Sequence, residues 1–268
     1  MNDGGSMNKK LRLYHVDAFT AAVFAGNPAA VVPLEAWLPD EALQAIAAEN
    51  NLTETAFIVG GGGRYQIRWM TPTTEVDLCG HATLASGWVV FNVLEPGGTV
   101  VTFDSKGGPL SVTRDGPLLA LDFPARPAEP ASEALATLTA ALGRAPREVL
   151  AARDYMAVYD HEDDVRALRP DMGRVAALGH FAVIVTAPGR EHDFVSRFFA
   201  PAQGVPEDPV TGSAHCSLIP YWSRRLGKTR LRAFQASPRG GELVCEDKGD
   251  RVRIAGRAAK YLEGTIEV

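Results

Sequence analysis

Apolar and polar residues alternate in short runs along most of the chain, and the period of that alternation changes at a few places. Leu11 to Phe19 and Ala29 to Val32 are dense in apolar and β-branched residues on either side of Gly26-Asn27-Pro28, which predicts two strands joined through a polar bend. From Pro39-Asp40 to Asn50 the spacing of Leu43, Ile46 and Ala47 gives one apolar helical face, ended by Asn50-Asn51. Strands follow at Thr55 to Val59 and Tyr65 to Met70, with Gly60 to Gly63 turning between them. His81 to Asn92 is apolar on every face and free of proline, the pattern of a largely buried helix. Short strands at Val100 to Asp104, Pro109 to Arg114 and Leu118 to Phe123 complete a β-rich first half.

Pro124 to Pro130 carries three prolines and reads as a linker. Beyond it the mixed pattern returns: an Ala/Leu helix at Ser132 to Leu142, then strands near Tyr155 to Tyr159, Phe181 to Thr186 and Asp193 to Phe199. A helix from Ser213 to Leu226 follows, with Pro220 expected to kink it, and three strands close the chain. Arg68-Trp69-Met70-Thr71-Pro72 is echoed by Arg197-Phe198-Phe199-Ala200-Pro201. Glu75, Gly80 and Ala82 are echoed by Glu207, Gly212 and Ala214. The expected division is therefore a polar, disordered leader over residues 1–10, an α+β half over 11–124 and a second over 130–268.

Composition narrows the function. With 268 residues and 46% hydrophobic content the chain can bury real cores, and 27 basic against 32 acidic residues without long runs of either sign give no footprint for nucleic acid or an anionic membrane. No stretch approaches 18 consecutive apolar residues, so no membrane span is predicted. Cys79, Cys216 and Cys245 are odd in number and widely spaced, which fits neither a disulfide framework nor a zinc site and points to a reducing, cytoplasmic setting.

Small-molecule chemistry remains, and its candidates cluster at two predicted helix starts. Gly80-His81-Ala82 and Gly212-Ser213-Ala214 can each present unpaired backbone N–H groups to an anion, with glycine allowing close approach and His81 or Ser213 adding a side-chain hydrogen bond. Glu54, between a helix and the apolar run Ala56 to Val59, is placed to be half-buried, and burial would raise its pKa towards neutrality for proton shuttling. Asp208 precedes Pro209, so its backbone is extended and its side chain can orient a base, meet a substrate or cap the next helix. Cys79 stands where a helix field favours a thiolate, although a buried inert thiol is the commoner outcome. His161, His180 and His192 lack ligand spacing and read as structural or solvated; no metal site and no dinucleotide or phosphate loop is expected.

Six ordered blocks then acquire a common meaning: Asp17-Ala18-Phe19-Thr20, Phe24 to Val32, Asn51-Leu52-Thr53-Glu54-Thr55-Ala56-Phe57, Asp77-Leu78-Cys79-Gly80-His81-Ala82-Thr83, Glu207 to His215 and Gln235 to Gly241. Together they resemble the PhzF family. The resemblance implies a diaminopimelate-epimerase-like fold, in which two pseudosymmetric halves each wrap a curved, mostly antiparallel sheet around a central helix, and the last strand returns to the first half. It implies a cofactor-independent isomerase, commonly a homodimer, acting on a small carboxylate-bearing metabolite held between the halves. Glu54 is the implied general acid/base, with His81, Asp208 and Ser213 placing or polarising the substrate; Asn27, Gly80 and Gly212 are counted with the binding groups. Related epimerases use a cysteine from each half. Here Cys79 faces Thr211 by pseudosymmetry, and a threonine hydroxyl is far too weakly acidic to replace a thiol. This favours an isomerase over a Cys79-dependent epimerase or racemase, and the polar groups argue against a non-catalytic binding protein.

Overall fold

The computed structural model describes residues 9–268. Most of the leader expected at residues 1–10 thus lies outside the described residues, but Lys9 exchanges backbone hydrogen bonds with Val268 and Lys10 already belongs to the first strand. The first sheet runs through β1 (Lys10–Ala18), β2 (Asn27–Leu34), β3 (Glu54–Gly61) and β4 (Arg64–Met70), with α1 (Asp40–Asn50) between β2 and β3. After β5 (Glu75–Val76) the chain enters α2 (Gly80–Val89), which continues as a π-helical turn over Val90–Leu94. It leaves through β6 (Val100–Ser105), β7 (Gly108–Asp115) and β8 (Leu118–Pro124). Within this sheet β2 and β3 are parallel, as are β4 and β6; the other contacts along it are antiparallel.

The second half repeats the order. β9 (Glu129–Pro130) and α3 (Leu135–Leu142) lead to β10 (Glu148–Ala151), β11 (Tyr155–Val158), α4 (Glu162–Ala167), α5 (Met172–Ala176), β12 (Val183–Pro188) and β13 (Phe194–Phe199). Then come α6 (Gly212–Leu226), β14 (Arg230–Gln235), β15 (Gly241–Asp247) and β16 (Arg251–Gly256). Here β11 is parallel to β12 and β13 to β14, matching the two parallel contacts of the first sheet. β8 pairs with β16 across the junction, and β17 (Ala258–Glu267) returns to pair with β1. Four strands, not three, therefore close the chain. The last two form separate strands because Gly256 ends β16, where a side chain would collide with Phe19, and β17 departs towards the other sheet.

Each sheet curls around one central helix. α2 has apolar or small residues on all sides and is buried along almost its whole length, and α6 packs likewise against β14, β15 and β16. Pro220 sits inside α6, yet the helix runs through it. A mid-helix proline costs about 3 kcal/mol, and burial of Leu218, Ile219 and Trp222, each about 1.5–3 kcal/mol, offsets that cost. The expected bend at Gly26-Asn27-Pro28 falls earlier, because Asn27 and Pro28 already pair with Ala18 and Asp17. No helix among the described residues is long and apolar enough to cross a membrane.

The echoed residues turn out to have equivalent jobs. Arg68 holds Glu75 through paired bonds of 2.8 and 2.9 Å, and Arg197 holds Glu207 through bonds of 2.7 and 3.0 Å. Each arginine lies at its sheet's centre and clamps the loop that enters the central helix, so the two ion pairs set where α2 and α6 begin. Two-pronged guanidinium–carboxylate geometry is directional enough for that task.

Candidate active site between the two halves

α2 and α6 start side by side. A Cβ built on Gly80 would lie 3.5 Å from Gly212 Cα, and one on Gly212 would lie 3.6 Å from Gly80 Cα, so side chains here would fill the space between the helix starts. Their N-caps, Cys79 and Thr211, are both extended and neither supplies a side-chain cap, which leaves first-turn N–H groups unclaimed by their caps. A cleft of about 480 Å³ opens there. Glu54, Cys79, Gly80, His81, Asp208, Gly212 and Ser213 all line it. Asn27 is fully buried behind these groups and reaches the site through hydrogen bonds.

Glu54 sits at the first position of β3, and its Oε2 lies 3.1 Å from His81 Nε2. That distance suits an ion pair, but the ring N–H is not aimed at the oxygen, and Oε2 has no hydrogen-bond partner among the described residues. Behind His81, Asn27 Nδ2 lies 2.8 Å from Asp208 Oδ1, 2.8 Å from the Val210 carbonyl and 3.1 Å from His81 Nδ1. An amide nitrogen has two hydrogens, and the two oxygens at shorter range take them. Reversing the amide would point its oxygen at two other oxygens, so this assignment stands. His81 Nδ1 is then left beside Cys79 Sγ at 3.5 Å.

Electrostatics divide the site. Burial pushes the Cys79 thiol up to about 11, with the negative charge of Glu54 adding to the effect, so the thiol keeps its proton near neutrality. Burial also works against a charge on His81, but the negative charge of Glu54, joined by that of Cys79 only where the thiol ionises, outweighs it and holds the imidazole well above its usual range. A helix N-terminus by itself disfavours a charged imidazole, but here the neighbouring carboxylate overrides it. A carboxylate at 3.1 Å outweighs the partial charge of a helix end, which is worth about 0.3–1 kcal/mol at the surface. Asp208 is pushed up to about 6 by burial, while His81, Thr211 and Asn27 pull the other way. It does not cap α6: its Oδ1 accepts from Asn27 and its Oδ2 from the Thr211 hydroxyl. The Gln235 side chain pins that loop, accepting from Thr211 N–H at 2.8 Å and donating to the Asp208 carbonyl at 2.8 Å.

Ligand atoms of Glu54, Cys79 and His81 lie within 4.8 Å of one another, a spacing that a carboxylate, a thiolate and an imidazole could use for a soft divalent cation once the thiol had lost its proton. In their present arrangement one carboxylate oxygen, Glu54 Oε2, has no hydrogen-bond partner among the described residues. In the same lining, from the second half, Ser213 Oγ accepts from Arg153 Nη2 at 3.1 Å, and the Arg153 guanidinium lies 4.2 Å over the ring of Phe181. Sequence reasoning passed over Arg153, Phe181 and the role of Gln235. The adjacent Arg153-Asp154 pair in a turn was the signal available, and it is too common to single out.

Known proteins resemble this chain along nearly its full length. Residues 16–264 match the family described as phenazine biosynthesis-like protein. A Pseudomonas aeruginosa protein described as an uncharacterized isomerase is 54% identical over 259 residues, covering 97% of this chain and 100% of that one. The crystal structure of a PhzF-family phenazine biosynthesis protein from Enterococcus faecalis superposes with a TM-score of 0.94 at 47% identity, covering 97% of this chain and 100% of that one. A hydroxyproline epimerase from Agrobacterium vitis, solved with trans-4-hydroxy-L-proline bound, superposes with a TM-score of 0.62 at 10% identity over 97% and 93% of the two chains, and shares the fold.

Proposed function

Because this chain belongs to the phenazine biosynthesis-like, PhzF family and is an isomerase, we propose that it moves a proton between carbons of a small carboxylate-bearing metabolite without a cofactor, with Glu54 taking and returning the proton. The observation that carries this reading is the free Oε2 of Glu54, set in the wall of the cleft 3.1 Å from His81. In the first step the C–H bond breaks, its proton goes to that oxygen, and its electron pair moves into the adjoining π-system. The carbanion that results is enolate-like, and the unclaimed N–H groups at the starts of α2 and α6 face the same cleft to meet its negative charge. In the second step the π-electrons form a bond to the proton at the far carbon, and Glu54 is restored.

His81 keeps the carboxylate in place and supplies a positive charge beside the developing anion. Asn27 and Asp208 support it from behind, and Gln235 fixes the loop that bears Asp208. One residue that is base and then acid needs to sit between the two carbons without being tied up by other hydrogen bonds, and a partnerless oxygen satisfies that requirement.

The test is turnover in heavy water. Wild-type enzyme should turn over and place either the transferred hydrogen or, as far as the Glu54 carboxyl exchanges with solvent between the two steps, deuterium at the carbon that gains the proton; Cys79→Ala should do the same, and Glu54→Gln should show neither turnover nor label. Exchange at a stereocentre that survives Glu54→Gln and is lost in Cys79→Ala would replace this reading with a Cys79-dependent epimerase.

A further inference from the structure

The cleft lining holds four carboxylates, those of Glu54, Glu75, Asp77 and Asp208, and Arg153 is the single arginine or lysine among its described residues. Glu75 is matched by Arg68 and Lys106. His81 is paired with Glu54, so for a charge carried by the substrate away from that pair the guanidinium is the lining's remaining cationic side chain. Arg153 lies in the turn between β10 and β11 and is held from three directions. Its Nε and Nη2 each bond an oxygen of Asp154 at 3.1 Å, its Nη2 also donates to Ser213 Oγ, and its face rests on Phe181. Asp154 is only 4% exposed, which makes it a rigid anchor.

Those contacts leave donors over. Arg153 Nη1 carries two N–H groups and donates to nothing among the described residues, while Ser213, whose oxygen accepts from Arg153, keeps its own hydroxyl hydrogen. Ser213 is also the second residue of α6, so its backbone N–H belongs to the unclaimed first turn. A charged side chain, a hydroxyl and a helix start thus bring donors together at Ser213, in the lining of the same cleft as Glu54 and His81. Phe123, Phe181 and Phe198 supply apolar surface for the rest of a ligand.

We propose that Arg153 and Ser213 form an anion subsite on the second-half wall, and that the substrate carries a carboxylate seated there, remote from the carbon that loses its proton. This rests on the reading of the cleft as the isomerase site and adds the group that selects substrates. A planar carboxylate is two-pronged, and the unused Nη1 edge of Arg153 beside the Ser213 hydroxyl presents two donors to it.

Benzoate and benzamide test it, since they share shape and differ in charge; binding is measured by calorimetry and NMR shift on the whole enzyme. Wild type should prefer benzoate by about tenfold or more. Arg153→Gln alone would strand the buried Asp154 charge, so the working variant combines Arg153→Gln with Asp154→Asn, and its fold is checked by thermal melting. The double variant should lose the preference, whereas Arg153→Lys should keep part of it. Equal affinity of the wild type for the two probes, no benzoate binding at any soluble concentration, or a preference that persists in the double variant each overturns the subsite. None of these results bears on proton transfer by Glu54, which heavy-water turnover decides separately.

Discussion

The starts of α2 and α6 are copies in backbone and opposites in chemistry. Both follow an arginine-clamped glutamate, both have an extended N-cap without a side-chain cap, and their first glycines face each other across a gap that an added Cβ would fill. Cys79-Gly80-His81 is the titratable start, with a buried thiol and an imidazole next to Glu54. Thr211-Gly212-Ser213 is the hydroxyl start, tied to Asp208, Gln235 and Arg153. The difference teaches that a repeated scaffold fixes where backbone donors stand, while the few side chains beside them decide which titratable and polar groups each start offers. On the reading proposed above, the first half does the acid–base work and the second half binds.

The largest expected effect separates the two walls directly. Glu54→Gln keeps size and removes the base, so turnover should fall by about 10³-fold or more, with melting within a few degrees of wild type. Near-normal turnover in that variant would move the base to His81 or Asp208 and end the division of labour.

Next is the buried acid that joins the walls. Asp208 is pushed up from 3.8 to about 6 in the folded protein. Between about pH 4 and pH 6 the folded chain keeps a proton that the unfolded chain has lost, so this group lowers stability as pH rises through that window and adds no further slope above it. His81, held above its usual range, stays protonated in both states across most of the same window and adds little slope there. Asp208→Asn removes the Asp208 contribution. Relative to wild type it should gain up to about 3 kcal/mol between pH 4 and pH 7, read from urea midpoints at the two pH values. Parallel pH curves for the two proteins would show that Asp208 is not a buried, late-titrating acid.

A smaller effect is expected from the hydroxyl wall. Ser213→Ala removes one donor from the binding side and none from the acid–base cluster, so KM should rise about tenfold with kcat changed far less. A fall in kcat with KM unchanged would mean that Ser213 acts in the transition state, and the contrast between the walls would blur.

The main strands, the central helices and the arginine–glutamate echo were legible because each carries a local signal: period, glycine at a helix start, or a repeated pair. Glu54, His81 and Asp208 were legible through motif blocks, and the structure brings all three to one cleft from segments far apart in the chain. What escaped depends on contacts that sequence spacing does not encode. β10, α4 and α5 have four to six residues each, too short for a period to declare itself, and α4 opens on the charged run Glu162-Asp163-Asp164. The charge on His81 is set by Glu54, which comes from the distant strand β3, so spacing around α2 does not reveal it. Arg153 becomes visible only when Ser213, Asp154 and Phe181 surround it.

The smallest expected effect is the sharpest test of the comparison, because it makes the two helix starts alike. Cys79→Thr copies Thr211 onto the first half. The backbone at Cys79 is extended, at φ −141° and ψ 110°, which a β-branched residue accepts readily, and threonine is a better N-cap than cysteine. Thr211 itself does not cap α6, so no capping gain is expected, and stability should stay within about 1 kcal/mol of wild type. With its pKa pushed to about 11, the native thiol is protonated near neutrality and contributes no base for the variant to lose. Turnover should stay within about threefold of wild type at pH 7.5, provided that His81 keeps its place beside Glu54. A collapse of turnover in a variant that melts normally would make Cys79 a working acid or base after all, and the enzyme would then be a one-thiol relative of the epimerases whose fold it shares.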